Sequence, residues 1–438
     1  MVSNLLNSKI KGQMLDRINQ IVLFAQRNSK LYAALYGNKP YELTEIEDIE
    51  KIPFLRREEL AKYYPFDHLC VDKNHIISYF ETTGTTGHKI PVVPNLSYEK
   101  MSDFGLFLDF WMNIKNEKIK IAMVALPYEA NPMGLKYHMA LNSLNVTTIP
   151  VSVRNILCPP YKVITLIKDL EPDLLVGRPL EVMRYGEYLE VAHIDSSLRK
   201  IFLTGETMSE NKWRRIDELY GGVDIYSTYG LTELDTGLIS CSQHHYHLPN
   251  SASLVVEIID EYGKAVREGE LGEIVITNTE MNFAPMIRYK TGDLGKFFSS
   301  GDCEFDTPYV EIMGREVDLK QIDGRLTFPV EIENTLYSLP DTGCEYQLII
   351  NNNKLKIKIE KANRSNILKA DLAYEIASLL YQKLSIHADV EVFEFNTLAD
   401  KLGIAIAKGC RFVDITNLSS EEVENAIRIN LCEGDKLI

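Results

Sequence analysis

A run of threonine and glycine at residues 82–87 has side chains and backbone groups that suit phosphate binding. Glycine removes steric limits on φ, and threonine adds O–H donors, so backbone N–H groups can wrap around an anion. The run lacks the Gly-Lys-Ser/Thr ending of a Walker motif and the helix-opening glycine of a dinucleotide fingerprint. Apolar residues at 76–80 and 90–93 predict strands entering and leaving it. We therefore predict a phosphate-binding loop between strands, with a threonine-rich hairpin turn as the alternative; its residues are Thr82, Thr83, Gly84, Thr85, Thr86 and Gly87.

Three later segments carry side chains that suit the rest of a nucleotide. Residues 226–233 combine aromatic rings, which offer a flat face to a purine, with Thr232 and Glu233, a hydroxyl and a carboxylate of the kind that hold Mg²⁺ near phosphates. Residues 288–294 place Asp293 after a Thr-Gly turn, where its carboxylate can accept bonds from both ribose hydroxyls. The last segment is residues 314–320, Gly-Arg-Glu-Val-Asp-Leu-Lys.

Composition favours a small-molecule partner. The chain has 438 residues, 45% of them hydrophobic and 25% charged, which is typical of a globular protein of two or three domains. A formal charge of −15 opposes binding to nucleic acid or anionic membranes. No apolar run approaches the ~20 residues that span a bilayer, and no signal peptide is evident, so we expect a cytoplasmic protein. Its 7 cysteines are scattered without a Cys-x-x-Cys pair, which predicts reduced thiols.

The elements that must position these segments alternate between strand and helix. Helical periodicity covers residues 4–37, and a strand-helix alternation follows, with strands predicted at 119–126, 141–151, 174–176 and 200–203. Such alternation predicts an α/β fold with a parallel sheet and helices on both faces. Short β segments after residue 221 predict a β-rich subdomain. We therefore predict an N-terminal core at residues 1–317 and a small α+β C-terminal domain at residues 318–438.

The four segments, in this order, resemble those of the adenylate-forming enzymes of the acyl-CoA synthetase superfamily. The phenylacetate-CoA ligase subfamily is similar in length, in its helical N-terminal segment, and in the motifs Pro53-Phe54 and Tyr64-Pro65-Phe66. The resemblance covers roughly residues 31–414. It implies two half-reactions: a carboxylate attacks the α-phosphorus of ATP to give an acyl-adenylate and pyrophosphate, and a thiol then displaces AMP.

The resemblance also implies a role for each segment. The loop would hold the pyrophosphate end of ATP, Thr232 and Glu233 the α-phosphate and Mg²⁺, and Asp293 the ribose. Asp318 matches the hinge about which the C-terminal domain rotates between the half-reactions. The residues that would line the adenine or lie near the ribose and phosphate are Gly205, Glu206, Thr207, Tyr226, Ser227, Thr228, Tyr229, Arg315 and Lys320.

A catalytic lysine is implied in the C-terminal domain, in a segment of the form Gly-Lys-x-x-Arg-Val-x-Asp. Residues 407–414 fit this spacing and make Lys408 the candidate. Lys401 is a competing candidate, and the alternative is that Lys408 is a surface lysine without a catalytic role. An ammonium group that reaches the site only in the closed state would stabilise the charge that develops during adenylation. One departure from the family pattern is His88, which separates the loop from Lys89.

A zinc site is also implied by the resemblance. In the subfamily, a Cys-x5-His segment and a later Cys-x-Cys hold structural zinc; here Cys241, His247 and Cys303 match, and Phe305 replaces the second later cysteine. Structural zinc takes four ligands, so His244, Glu304 or water would have to fill the gap. The alternative is a buried thiol beside surface histidines.

We therefore expect an ATP-dependent carboxylate-activating ligase. Residues 127–134 mix aromatic, apolar and polar side chains, and we expect a pocket for an aryl or short acyl acid between residues 128–137 and the segments around residues 204 and 226. CoA is the default acceptor by resemblance, whereas a carrier-protein phosphopantetheine or an amine is the alternative. A catalytically silent nucleotide-binding subunit is a further alternative, opposed by the retention of Thr232, Glu233, Asp293 and Lys408.

Overall fold

The computed structural model describes residues 8–39, 41–82, 90–234, 237–248, 253–305, 307–399, 411–420 and 422–423. Its helices are α1 (Ser8–Asn28), α2 (Lys30–Tyr36), α3 (Arg57–Lys62), α4 (Tyr98–Met112), α5 (Pro132–Ser143), α6 (Pro160–Leu170), α7 (Pro179–Ala192), α8 (Glu210–Tyr220), α9 (Pro329–Leu336) and α10 (Lys369–Leu384). Its strands are β1 (Phe80–Glu81), β2 (Pro91–Val92), β3 (Ile121–Ala125), β4 (Thr147–Pro150), β5 (Leu174–Gly177), β6 (Lys200–Thr204), β7 (Asp224–Tyr229), β8 (Leu238–Ser240), β9 (Tyr246–His247), β10 (Leu254–Ile259), β11 (Gly272–Asn278), β12 (Tyr289–Phe298), β13 (Tyr309–Arg315), β14 (Lys320–Ile322), β15 (Arg325–Thr327), β16 (Thr342–Asn351), β17 (Lys354–Lys361), β18 (Ala388–Phe393) and β19 (Phe412–Asp414).

The described residues group into two compact units, each built from three separate stretches of chain. Unit 1 comprises residues 1–111, 127–144 and 226–316. Its strands are ordered β10-β11-β12-β13-β9-β8-β7 and pair antiparallel, which confirms the predicted β-rich region. Ile18 and Ile21 of α1 belong to the same buried cluster as Val256 and Ile274 of the sheet. The N-terminal helix is therefore part of the core of unit 1.

Unit 2 comprises residues 112–126, 145–225 and 317–438. Strands β6, β5, β3 and β4 lie in that order and pair in parallel, and they alternate with helices along the chain. The C-terminal part adds a four-stranded sheet of order β18-β17-β16-β19, beside which α10 buries Leu372, Ile376 and Leu380 at four-residue spacing. These elements confirm the predicted α/β fold class and the α+β character of the C-terminal region.

Two predicted elements differ from the structure. The helical pattern over residues 4–37 is broken within its described part, because Ser29 caps the start of α2 and its side chain accepts a bond from the backbone of Tyr32. The strand predicted at 141–151 is shorter, since α5 continues to Ser143 and β4 covers only Thr147–Pro150. Its β-branched residues begin at Val146, and strand geometry begins with them.

The described cysteines are all free thiols, as predicted: Cys70, Cys158, Cys241, Cys303 and Cys344. Within the described ranges, no helix is both long enough and apolar enough to cross a bilayer.

Candidate nucleotide and metal sites

The base of the threonine-glycine loop is closed by Thr82 and Ile90. The Thr82 N–H donates to the Ile90 carbonyl at 2.9 Å, and the Ile90 N–H donates to the Thr82 hydroxyl at 3.0 Å. Strands β1 and β2 pair antiparallel on either side, so the prediction of a loop between two strands is confirmed, although both strands are shorter than predicted. The remaining loop residues lie outside the described part of the chain: Thr83, Gly84, Thr85, Thr86 and Gly87.

Glu233 lies with Thr232 in a turn that follows β7, and its side chain is only 5% exposed. The Tyr289 hydroxyl donates to Glu233 Oε1 at 2.9 Å, and an Arg57 guanidinium nitrogen lies 3.6 Å from the same oxygen. Burial, and then the charge of Glu233, raise the pKa of Tyr289 well above its usual value, so the phenol remains a neutral donor. The predicted metal-binding carboxylate is therefore held in a fixed orientation.

Asp293 lies on β12 directly opposite Arg315 of β13. The Tyr229 hydroxyl donates to Asp293 Oδ2 at 2.8 Å, and Arg315 Nε lies 3.7 Å from Oδ1. Gly292 precedes it with a φ of +73°, a conformation that favours glycine and allows the tight Thr-Gly turn. The structure thus brings together three residues that were predicted from three different segments.

Two hydroxyls of the aromatic segment, those of Ser227 and Thr228, form hydrogen bonds inside unit 1. The Ser227 hydroxyl is buried and hydrogen-bonds the Tyr246 hydroxyl at 2.9 Å, while the Thr228 hydroxyl donates to the Leu238 carbonyl at 2.8 Å. These bonds attach β7 to its neighbours in the sheet. Nucleotide contacts from Tyr226, Ser227 and Thr228 stay predictions.

In unit 2, Gly205, Glu206 and Thr207 follow the carboxyl end of β6. The side chain of Glu206 is 6% exposed; its carboxylate accepts from the Leu180 N–H at 3.3 Å and lies 3.6 Å from the Arg411 guanidinium. Gly205 has a φ of +86°, so the chain can turn sharply there. The carboxylate of Glu206 is therefore a partner of Arg411, which belongs to the segment predicted to carry the lysine.

The lysine segment is described only at its end. Lys401 and Lys408 lie outside the described residues, whereas residues 411–414 continue into β19. Lys320, at the start of β14, places its ammonium 3.7 Å from Asp414, the last residue of the predicted motif. Asp318, the predicted hinge, ends a short 3-10 turn over Glu316–Asp318, and its hinge role stays a prediction.

Four side chains in unit 1 could hold a metal ion. The ligand atoms of Cys241, His245, His247 and Cys303 all lie within 4.8 Å of one another. Cys241 Sγ accepts bonds from the backbone N–H groups of Gln243 and His245 at 3.3 and 3.4 Å. His247 Nε2 lies 3.3 Å from Cys303 Sγ, and its Nδ1 contacts the Thr307 carbonyl at 3.1 Å, the outer contact that metal-ligating histidines commonly make.

The fourth member of this cluster is His245, which sequence reasoning missed. Glu304, one of the predicted candidates, instead accepts from the backbone and hydroxyl of Ser242. Phe305 packs on His247 with ring centroids 5.3 Å apart. Among the described residues, the buried Nδ1 of His245 has no hydrogen-bond partner. Two thiols and two imidazoles are a tetrahedral zinc set, so the residues present fit the ion.

Arg57 is a second residue that sequence reasoning missed. Its guanidinium reaches both the hydroxyl of Thr82, at 3.0 Å, and the carboxylate of Glu233. Its only signal in the sequence is its place shortly after Pro53-Phe54, a motif that is shared with the resembling subfamily.

The chain matches two family models and several known enzymes. A family model for AMP-binding enzymes matches residues 136–282, and a model for the AMP-binding enzyme C-terminal domain matches residues 324–414. The phenylacetate-coenzyme A ligase of Pseudomonas putida is 26% identical over 77% of this chain and 78% of its own length. That of Escherichia coli (strain K12) is 24% identical over 94% of this chain and 96% of its own.

Solved structures show the same fold. A 2-hydroxyisobutyryl-CoA ligase in the postadenylation state, in complex with 2-HIB-AMP, matches with a TM-score of 0.82 and 19% identity over 97% of this chain and 92% of its own. The anthranilate CoA ligase AuaEII, in complex with anthranoyl-AMP, matches with a TM-score of 0.56 and 18% identity over 75% and 65%. The chain therefore belongs to the AMP-binding, adenylate-forming enzymes, the acid–CoA ligase family that its sequence motifs predicted.

Proposed function

We propose that this protein activates a carboxylic acid with ATP and transfers the acyl group to the thiol of CoA. An oxygen of the carboxylate attacks the α-phosphorus, and the bond to the pyrophosphate oxygen breaks, giving acyl-AMP and pyrophosphate. The thiol sulfur then attacks the acyl carbon, its proton is released, and AMP leaves. The phenylacetate-CoA ligase relatives support this reaction class, and with it an aryl or short acyl acid as the substrate.

One observation in unit 1 carries the proposal. Glu233, proposed for Mg²⁺ and the α-phosphate, and Asp293, proposed for the ribose, each accept a bond from a tyrosine hydroxyl; Asp293 lies on strand β12, and the partner of Glu233 is Tyr289, the first residue of that strand. Fixed carboxylates can bind a metal ion and a ribose without being reordered at the moment of reaction. Thr82 anchors the proposed pyrophosphate loop within reach of the same arginine that contacts Glu233.

The remaining roles are proposed for residues in each unit. In unit 1, Thr232 would contact the α-phosphate, and Tyr226 and Tyr229 the adenine side of the nucleotide. In unit 2, Gly205 and Thr207 would contribute backbone groups to adenine binding, since the Glu206 carboxylate is occupied by Arg411. Lys408 would stabilise the charge that develops on the reacting carboxylate and on the bridging oxygen.

Pyrophosphate exchange with a panel of aryl and short aliphatic acids tests the proposed function. We expect ATP-pyrophosphate exchange with at least one acid, and a loss of exchange of at least 100-fold in Lys408→Ala, the size of effect typical of an electrostatic catalytic group. The preferred acid is then offered CoA, a phosphopantetheinylated carrier protein, or an amine. Thioester formation with CoA supports the proposal, whereas exchange without CoA use favours a carrier protein or amine acceptor. Absence of exchange with every acid would favour the silent nucleotide-binding subunit.

We also propose that Cys241, His245, His247 and Cys303 hold a structural Zn²⁺. The support is the convergence of two thiols and two imidazoles within 4.8 Å, together with the outer contact of His247 to Thr307. The ion would tie the turn after β8 to the segment that precedes β13 in unit 1.

Elemental analysis of protein purified without a histidine tag tests the zinc site. We expect about one zinc per chain, lost in Cys303→Ser together with several degrees of melting temperature, because structural zinc contributes to folding directly. Cys158→Ser is the matched control, since this thiol is partly exposed and lies outside the cluster. Substoichiometric zinc in the wild type, or equal zinc in both variants, would contradict the site.

A further inference from the structure

The segment around residues 53–57 is attached to the start of strand β12. The Leu55 N–H donates to the Arg288 carbonyl at 3.0 Å, and the Lys290 N–H donates to the Leu55 carbonyl at 2.9 Å, so Leu55 forms a parallel bridge with Tyr289. The Phe54 ring stacks on the Arg288 guanidinium, with the cation 4.1 Å from the ring centroid. Helix α3 begins two residues after Leu55, and its position is therefore set by the strand that carries Asp293.

Arg57, the first residue of α3, uses this position to reach two proposed nucleotide-binding groups. One guanidinium nitrogen donates to the Thr82 hydroxyl at 3.0 Å, and the other lies 3.6 Å from Glu233 Oε1. Arg57 is 22% exposed at its side chain and Glu233 5%, so the pair is only partly screened by solvent. A permanent cation thus lies between the base of the threonine-glycine loop and the carboxylate that is proposed to hold Mg²⁺.

This placement matches the charge that the proposed reaction handles. ATP brings several negative charges to a protein whose net charge is −15, so local cations must offset the repulsion. The planar guanidinium forms paired, charge-assisted bonds with phosphate oxygens more readily than any other side chain. A cation beside the loop can also stabilise the charge that develops on the pyrophosphate leaving group.

We propose that Arg57 binds the β- and γ-phosphates of ATP, an inference that rests on the proposed function of the site. In the free protein, the Arg57 guanidinium bridges the Thr82 hydroxyl and the Glu233 carboxylate. Glu233 would hold the Mg²⁺ that accompanies ATP, and the Arg57 guanidinium would bind the polyphosphate. Arg57 is then a substrate-binding residue of the adenylation step, contributed by the N-terminal part of unit 1.

Calorimetric binding of Mg²⁺-ATP, Mg²⁺-pyrophosphate and AMP to the full chain tests this role. Arg57→Gln is expected to weaken binding of ATP and pyrophosphate at least tenfold and to leave AMP binding unchanged, because AMP lacks the β- and γ-phosphates. Arg57→Lys keeps the positive charge but lacks the paired N–H donors of the guanidinium, and it is expected to recover part of the lost affinity. Arg56→Gln is the matched control, since Arg56 is the exposed neighbour on the same segment. In pyrophosphate exchange, the KM for ATP should rise while the KM for the acid stays constant.

Two results would overturn the inference. One is ATP affinity in Arg57→Gln equal to that in Arg56→Gln; the other is an equal loss of ATP and AMP binding, which indicates a structural role. Should Arg57→Gln fail to fold, Arg57→Lys supports the same comparison of ATP with AMP. A wild-type protein that binds neither ATP nor pyrophosphate would refute the proposed function itself, whereas normal wild-type binding with an unaffected variant refutes only the role of Arg57.

Discussion

The Arg288→Met substitution is expected to lower the free energy of unfolding of unit 1 by about 4–6 kcal/mol. The Arg288 guanidinium donates two bonds to the Glu257 carboxylate, at 2.7 and 3.0 Å, and further bonds to the carbonyls of Glu50 and Ile52, at 3.0 and 2.7 Å. The two side chains are 2% and 4% exposed. Leaving one buried charge unpaired costs about 3–5 kcal/mol, and the carbonyl groups that lose their hydrogen-bond donor add about 1 kcal/mol.

A double-mutant cycle separates the ion pair from the packing around it. Glu257→Met alone should cost about 3–5 kcal/mol, because it leaves the guanidinium charge buried. The double variant should lose only about 1–2 kcal/mol, since no unpaired charge remains and the bonds to the carbonyls of Glu50 and Ile52 are the main loss. The stability lost in the double variant must therefore be much smaller than the sum of the losses in the two single variants.

Urea unfolding measures these values in a Trp213→Phe background, where Trp111 is the one remaining tryptophan and reports on unit 1. The control is Lys264→Met, which removes the exposed partner of Glu50 at 3.8 Å and should cost no more than about 1 kcal/mol. The reasoning is refuted if the two single substitutions simply add in the double variant, or if Arg288→Met costs no more than Lys264→Met.

Three further predictions follow from buried or crowded positions. Burial lowers the pKa of His68 from 6.5 to about 4, so the unfolded chain binds its proton first, and stability should fall by about 3 kcal/mol as the pH drops from about 6.5 to about 4. In His68→Leu, the midpoint of urea unfolding should depend less on pH across this window. A pH dependence equal to that of the wild type would contradict the role of His68. Tyr229→Phe removes the hydroxyl bonded to Asp293 and should raise the KM for ATP several-fold in pyrophosphate exchange without changing the KM for the acid; an unaltered KM for ATP would separate Asp293 from nucleotide binding. Gly237→Ala would place a methyl carbon 2.5 Å from the Tyr229 carbonyl oxygen and should destabilise the protein by about 1–3 kcal/mol. Gly12→Ala, in open space on α1, should stabilise it by about 0.5–1 kcal/mol. Melting temperatures that move in the same direction in both variants would contradict the packing at these two positions.

Local sequence patterns were enough to predict many elements and the family. Local signals mark the start of helix α9, since Pro329 suits the first helical position and Glu331 accepts a bond from the Phe328 N–H. The apolar run at 174–176, predicted as a strand, is the buried strand β5. Asp293, Tyr229 and Arg315 were predicted from separate motifs and lie in contact.

Features that depend on distant pairing were not predicted. Arg57 gains its importance from the bridge between Leu55 and Tyr289, and no local pattern in the sequence specifies that bridge. His245 was overlooked among three histidines in a short run. It lies two positions before His247 and directly precedes β9, and alternate residues of an extended chain share one face, so the two-residue spacing was the available signal.

The attachment of residues 52–55 to the start of β12 also determines when unit 1 can complete its folding during translation. Arg288 and Ile52 are 236 positions apart, and at about 5–20 residues per second the ribosome needs on the order of 10–50 s to add that much chain. During this interval the emerging N-terminal helices expose apolar surface to chaperones and proteases. A nascent polypeptide halted before Arg288 would thus leave Arg57 without its scaffold, and translation would have to pass β12 before a nucleotide could bind.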